Sequence, residues 1–429
     1  MDTVDHLFRH ESGRMVAVLT RIFGMHRLAL AEDVAQDALC RALEVWKIRG
    51  VPDNPAAWLM STAKNRALDV LRREKIAQEH APEVALALQD EGSASSAIEE
   101  LFGAAAIEDD QLRLTFSCCD PRLGEDVHVA LVLHILCGFS TAEIASAFLS
   151  REDAIKKRIQ RGKKVLSGSR RLFELTRSDF AERLSSVQRS LYLLFNEGYH
   201  GASTEFAVRK ELCEEAMRLG ALLCENETTA VPPTYALLAL MCLHAARLPA
   251  RIDASGDFTM LLDQDRSRWD VRLIAEGQRL MDLSAKGKVL STYHVEAAIA
   301  SVHAAARGSG ETPWDTVVAL YDTLMRIRSS PVVALNRALA LAQRDGARCG
   351  LDEIERIADR ERLLDYPFYS AALGELHLRL GNHDAARDHF VDALELARNV
   401  TERRLLQRRI ADCDVEPYSV VNGSTRLRA

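Results

Sequence analysis

Apolar residues recur three and four positions apart along almost the whole 429-residue chain, and strand-like alternation is nearly absent. Ala, Leu, Glu and Arg, all good helix formers, supply most of the pattern. An all-α protein follows. The length suggests two or three domains, and an apolar share of 48% is enough to give each a packed core. No run of about 18 apolar residues occurs, so no membrane span is expected. The opening residues, among them Asp2, Asp5, His6, Arg9 and His10, form neither a signal peptide nor a lipidation signal. A cytoplasmic protein with no membrane partner is the expectation.

Charge is distributed unevenly. The net charge of −7 argues against a general nucleic-acid binder. Residues 76–110, however, carry nine acids and no Lys or Arg, whereas residues 151–171 carry nine Lys or Arg against Glu152 and Asp153 alone. The acidic stretch, with Pro82 near its start and Ala, Ser and Gly throughout, reads as a linker. It divides a first block at 1–75 from a second at 111–170. From 178 to 429 runs a longer helical region punctuated by Pro232, Pro233, Pro249, Pro313, Pro331 and Pro367. Pro331 and Pro367 open two similar units 36 residues apart, close to the ~34-residue tetratricopeptide period. Gly374 and Ala386 would let two helices approach, with Phe390 and Leu394 filling the groove. An irregular bundle with an accidental period is the alternative.

The most informative stretch is 127–166. An apolar helix from Val127 ends at Cys137, where Gly138 tolerates left-handed backbone angles. Ser140 or Thr141 can cap a short helix supported by Glu143. After Leu149 and Ser150, with Ser150 a candidate cap, a third helix runs from Arg151 to about Leu166. Ile155, Ile159, Gly162 and Leu166 would face the core, and Lys156, Lys157, Arg158, Arg161, Lys163 and Lys164 cover the rest. A capped short helix, a tight turn and a basic helix match the helix-turn-helix plan. A helical hairpin with a solvated basic face would look similar, but has no need of the linked caps and turn.

In the first block, Ala31–Trp46 reads as a helix with acidic and polar early turns, suited to a basic partner surface or to plain solvation. Asn54-Pro55 marks the start of the next helix, which begins apolar and ends basic at Arg72 and Arg73. Asn65, Asp69 and these arginines are candidates to meet unstacked bases and phosphates. Trp58 is a candidate too, although a core anchor is the plainer reading of it.

Taken in order, these pieces resemble an extracytoplasmic-function sigma factor. Glu32–Trp46 (EDVAQDALCRALEVW) resembles the family's polymerase-binding helix, Asn54–Glu74 the helix that melts and reads the minus-ten element, and Gly138–Leu166 the helix-turn-helix that reads the minus-thirty-five element. The resemblance covers about the first 170 residues. It implies that Asp33, Gln36, Asp37 and Leu43 dock on core RNA polymerase. It implies further that Trp58, Asn65, Asp69, Arg72 and Arg73 engage the minus-ten DNA. Thr141, Arg151, Lys156, Arg158, Arg161 and Lys163 would engage the minus-thirty-five DNA. The acidic linker would thread a positively charged channel of the polymerase. Gly162 stands where the family usually has alanine, and Cys40 where it usually has an aromatic residue.

The remainder resembles a subgroup carrying a helical, tetratricopeptide-like C-terminal extension. Two strings carry this likeness: LTFSCCDPRL at 114–123 and LYLLFNEGYHG at 191–201. In the second, Asn196, Glu197 and Tyr199 are candidates to hold the extension against the sigma domains, or merely to end a helix. A regulatory extension with a protein partner is expected.

Nothing points to catalysis. There is no P-loop, GxGxxG, HExxH or triad signature, and His294 and His303 are nine residues apart, the wrong interval for one metal on a helix. The nine cysteines include no C-x-x-C pair, and Cys118-Cys119 has no companion ligands, so packing is their expected role and neither cofactor nor metal is expected. Two other classes compete: a helical-repeat scaffold without DNA binding, and an enzyme using Glu197 and Tyr199, which would need a pocket and a displaced carboxylate pKa there.

Overall fold

Helix start signals in the sequence are realised where a side chain can take up a free backbone N–H. Asn54 accepts from the Ala57 N–H (3.0 Å), and Pro55, which has no N–H to leave unpaired, follows at the first helical position. The structure is a computed structural model and describes residues 2–74, 104–148, 150–168, 175–200, 209–253, 257–306, 308–364, 366–397 and 399–414. Among these there is no β-strand, only an isolated bridge between Ile252 and Phe258. No described helix is long and apolar enough to cross a membrane.

The described residues of 1–203, 208–248 and 270–297 form one unit, and those of 249–269 and 298–429 a second. In the first unit the helices are α1 (Asp2–Phe23), α2 (Leu28–Arg49), α3 (Pro55–Glu74), α4 (Ala104–Cys118), α5 (Glu125–Leu131), α6 (Thr141–Ala147), α7 (Glu152–Ser167), α8 (Arg177–His200), α9 (Lys210–Glu225), α10 (Pro232–Ala245) and α11 (Val271–Ser284). One continuous core runs through it, from Leu19 and Phe23 of α1 and Leu59 of α3 to Phe116, Leu133, Ile159, Phe195 and Leu212. Both sequence blocks and the start of the extension therefore share a core. The helix α4 begins at Ala104, inside the acidic stretch, and Asp110 and Gln111 are buried there. The rest of that stretch, 76–103, lies outside the described residues.

The string LTFSCCDPRL closes α4. Leu114, Phe116, Cys118 and Cys119 are wholly buried. Asp120 turns the chain, its carboxylate accepting from the Arg122 backbone N–H (2.9 Å) and Nε (2.8 Å). Burial holds the Cys119 thiol up at about 12 and pushes Cys118 well above its ordinary value, so both are packing groups rather than thiolates.

The second unit includes α13 (Trp314–Ile327), α14 (Pro331–Asp345), α15 (Ala347–Glu355), α16 (Pro367–Arg379), α17 (His383–Glu395) and α18 (Val400–Asp412), and α12 (Thr292–Ala305) precedes them. The two proline-led units fall on α14 and α16, as the period suggests. Gly374 of α16 faces the Phe390 ring of α17 so closely that an added Cβ would lie 2.8 Å from it. Gly374→Val should lower the stability of this unit by roughly 1–3 kcal/mol through overpacking, read as a drop in the midpoint of its thermal transition.

Candidate nucleic-acid and polymerase interface

The helix-turn-helix is built by local chemistry. Ser140 and Glu143 form a reciprocal capping box: the Ser140 N–H donates to Glu143 Oε2 (2.9 Å), and the Glu143 N–H donates to Ser140 Oγ (3.2 Å). Ser140, not Thr141, is thus the cap of α6. The Thr141 hydroxyl instead donates to Glu152 Oε1 (2.8 Å), tying α6 to α7. Ser150 does not cap α7; the cap position is Arg151, in extended geometry and without a side-chain bond. The apolar helix α5 ends in a widened π-type turn, Val132–Leu136, with Gly138 at φ 67° beyond it. Gly162 lets α7 lie on Leu131, whose side chain an added Cβ would approach to 2.7 Å, which explains a glycine in a helix interior.

With Ile155, Ile159, Gly162 and Leu166 buried, Lys157, Gln160, Arg161 and Lys164 point to solvent. Of the six minus-thirty-five candidates, Arg151, Lys156 and Arg161 are exposed, Arg161 on this face, while Thr141, Arg158 and Lys163 are half-buried. The flanking cations are paired with carboxylates: Lys156 with Glu152 (2.9 Å), Arg158 with Asp126 (3.0 Å) and Lys163 with Glu32 of α2 (2.7 Å). Lys157, Gln160 and Lys164 were not singled out as site residues from sequence. The helical angle opposite the buried stripe marks all three.

Asp33, Gln36, Asp37, Cys40 and Leu43 share the outer face of α2. Leu43 is 58% and Ile48 84% exposed, large apolar side chains left uncovered next to acids. Ile48 was not anticipated, because the sequence pattern places it at the helix end. Asp37 accepts from Arg66 Nε of α3 (3.0 Å). Asn65 and Asp69 are exposed on α3. Trp58 is half-buried and edge-on to Trp46 (5.5 Å), which in turn meets Phe8, so its packing role is evident. The side chains of Arg72 and Arg73 lie outside the described residues.

The junction candidates lie near the end of α8. Tyr199 is buried, stacked on Phe195 (5.8 Å) and tilted against His244 (5.0 Å). Asn196 hydrogen-bonds the half-buried Tyr192, which also donates to Glu296 (3.0 Å). Glu197 is half-buried. The neighbouring Gly198 matters most: its carbonyl accepts from the Arg209 N–H (2.7 Å), and an added Cβ would lie 2.8 Å from the Arg209 carbonyl and Cys213. Sequence reasoning passed over Arg209, which no motif contains.

The seam between α1 and the helix-turn-helix was also not anticipated. Gly13 of α1 sits against the Leu136 carbonyl, where a Cβ would lie 1.8 Å from the oxygen. Arg9 donates to Glu143 Oε1 (2.7 Å) and lies 4.9 Å over the Phe139 ring. Burial and the nearby Lys163 charge hold the His134 pKa below its ordinary value, and its Nδ1–H donates to the Phe139 carbonyl (2.9 Å). At the other end of the seam Arg21 reaches Asp110 Oδ1 (3.3 Å).

Comparison with known proteins places these elements. Residues 7–76 match the family described as Sigma-70 region 2, residues 118–166 match Sigma-70, region 4, and residues 183–285 match a family of unknown function (DUF6596). A protein of Rhizobium meliloti (strain 1021), described as uncharacterized, is 36% identical over 412 residues, covering 96% of either chain. No solved structure matches.

Burial raises the Asp110 carboxyl to about 7 despite Arg21, with the Asp109 charge adding to the rise. Its Oδ2 has no hydrogen-bond partner among the described residues. A carboxyl raised in the folded state binds its proton there more tightly than in the unfolded chain. Its contribution to stability is therefore whole below its ordinary value of 3.8 and is lost as pH rises to about 7. Relative to Asp110→Asn, the wild type should lose stability progressively over that window and run parallel to it above, measured by urea unfolding at a series of pH values.

Proposed function

We propose, from the premise that this chain belongs to the sigma-70 family, that it is an alternative sigma factor of the extracytoplasmic-function type whose helical extension modulates its activity. Sigma-70 regions 2 and 4 give it a role in transcription initiation, with core RNA polymerase and promoter DNA as partners. The observation that carries the finer reading is the outward face of α7. Lys157, Gln160, Arg161 and Lys164 stand on a helix tied to α6 by the Thr141–Glu152 bond. Such a helix can enter the major groove, with arginine and glutamine reading base edges and lysines holding phosphates.

The exposed acidic and apolar face of α2, with Asp33, Gln36, Asp37, Leu43 and Ile48, fits a basic polymerase surface around an apolar patch. Asn65 and Asp69 on α3 would read the minus-ten strand. Arg66 joins the two functions, since it braces Asp37 while lying next to Asn65. Modulation by the extension is supported by direct contact: Arg183 of α8 donates to the Phe116 carbonyl (3.2 Å), and Arg189 pairs with Glu125 (3.4 Å). A protein regulator acting through the extension completes the proposal. The reading needs no active site in this chain.

Run-off transcription with core polymerase, on genomic fragments including the gene's own upstream region, tests this. The wild type should yield promoter-specific transcripts. Arg161→Ala should weaken promoter binding by about 1–3 kcal/mol and relax specificity at one base pair. Lys164→Ala should lower the slope of log affinity against log salt by about 0.9 across all sequences. No transcript at any protein concentration, with or without the residues after 177, would overturn the sigma reading in favour of a protein-binding scaffold.

A further inference from the structure

The two promoter-reading helices converge on one short stretch of α2. Lys163 of α7 reaches Glu32 (2.7 Å) and Arg66 of α3 reaches Asp37 (3.0 Å). Glu32 and Asp37 are only about 7.5 Å apart along the helix axis at 1.5 Å per residue. Even with every side chain extended, the reading faces around Asn65 and around Gln160 are therefore within about 45 Å of each other. Minus-ten and minus-thirty-five elements are named for positions about 25 base pairs apart, or roughly 85 Å of B-form DNA. This packing cannot serve both elements at once.

The closed arrangement is fastened at the first turn of the helix-turn-helix. Phe139 is buried between two guanidinium groups: Arg9 of α1 at 4.9 Å and Arg209, which precedes α9, at 5.7 Å from the ring centroid. Both also hold Glu143. Arg9 takes its carboxylate (2.7 Å) and Arg209 its backbone carbonyl (3.3 Å). Arg209 is itself set by the Gly198 carbonyl. A second fastening lies further along α9, where Arg218 donates to Gln111 of α4 (3.3 Å).

We infer that Arg209 of the extension and Arg9 of the first helix form a latch across Phe139 and Glu143 that keeps the chain in a closed, promoter-incompetent state until polymerase or a partner of the extension separates its halves. The inference rests on the sigma reading for its consequence, but the latch has its own observable. Opening exchanges two cation–ring contacts and two hydrogen bonds for water, takes α1 off the Leu136 carbonyl and exposes apolar side chains such as Leu19 and Phe23 that α1 shares with the core. Because only the open fraction is competent, closing lowers the apparent affinity for polymerase and promoter by that fraction. The junction string acquires a role here: its Gly198 fixes the residue that closes the latch.

The test compares full-length wild type, Arg209→Ala, Arg209→Lys and Arg9→Ala. In the free proteins, hydrogen exchange should quicken together in α1 and in residues 132–143 of all three variants, while α10 and α11 stay protected. With core polymerase, the concentration giving half-maximal run-off should fall by roughly fivefold or more in Arg209→Ala, with the plateau unchanged. Lysine keeps the charge but loses the planar stack, so it should behave like alanine in direction and more weakly. Arg9→Ala attacks the latch from the other side and stands in should Arg209→Ala fold poorly. Faster exchange confined to residues 209–213, or variants that open without lowering the half-maximal concentration, would overturn the latch. A wild type that never supports transcription while α1 still opens on Arg209→Ala would instead overturn the sigma reading alone.

Discussion

Backbone meets backbone where Gly13 of α1 rests on the Leu136 carbonyl, and the first unit is arranged around that approach. Only a residue without a Cβ permits it, and only the widened turn at Val132–Leu136 offers a carbonyl there. Once α1 is seated, Arg9 falls over Phe139, Arg21 meets Asp110 at the other end, and α2 presents Glu32 to Lys163. Packing of this kind is not continuously deformable, so the halves are either seated or apart. A two-position device follows from ordinary close packing, without a special hinge.

Electrostatics make the seated position reversible. The flanks of α7 are neutralised by carboxylates of the same chain, Glu152, Asp126 and Glu32, while its outward face remains solvated. Partly exposed ion pairs of this sort contribute at most about 1 kcal/mol each, so the DNA backbone can displace them. Glu32 lies on the helix whose outer face carries the polymerase-docking candidates. Docking there and release of Lys163 therefore involve the same helix, one way for polymerase binding to favour the open form.

Local signals were well legible in the sequence. The all-helical fold, the Asn54-Pro55 start, the capping of α6 and the pairing of Gly374 with Phe390 all rest on neighbours within one helix or one hairpin. What was not legible depends on residues far apart in the chain. The acidic stretch reads as a linker by composition, yet Asp110 is buried against Arg21, 89 positions away. Arg9 and Arg209 belong to no pattern, and their meeting at Phe139 is a property of the tertiary fold alone. Among the candidate contacts, Lys163 and Arg158 read as free cations from a helical wheel, which cannot show the carboxylates that Glu32 and Asp126 bring from other helices. Trp58 illustrates the reverse: its position in a motif suggests a reading role, while Trp46 explains its burial without one.

The most direct measurement is the distance between α3 and α7 in solution. Spin labels at Ser61→Cys and Ser167→Cys, in a Cys40→Ser background, report it without touching a proposed DNA contact. In the free protein the distance should be roughly 50 Å or less, and on core polymerase with promoter DNA it should lengthen toward the ~85 Å that separates the two elements. A single long distance in the free protein, or a short one that persists on the promoter complex, would contradict the account.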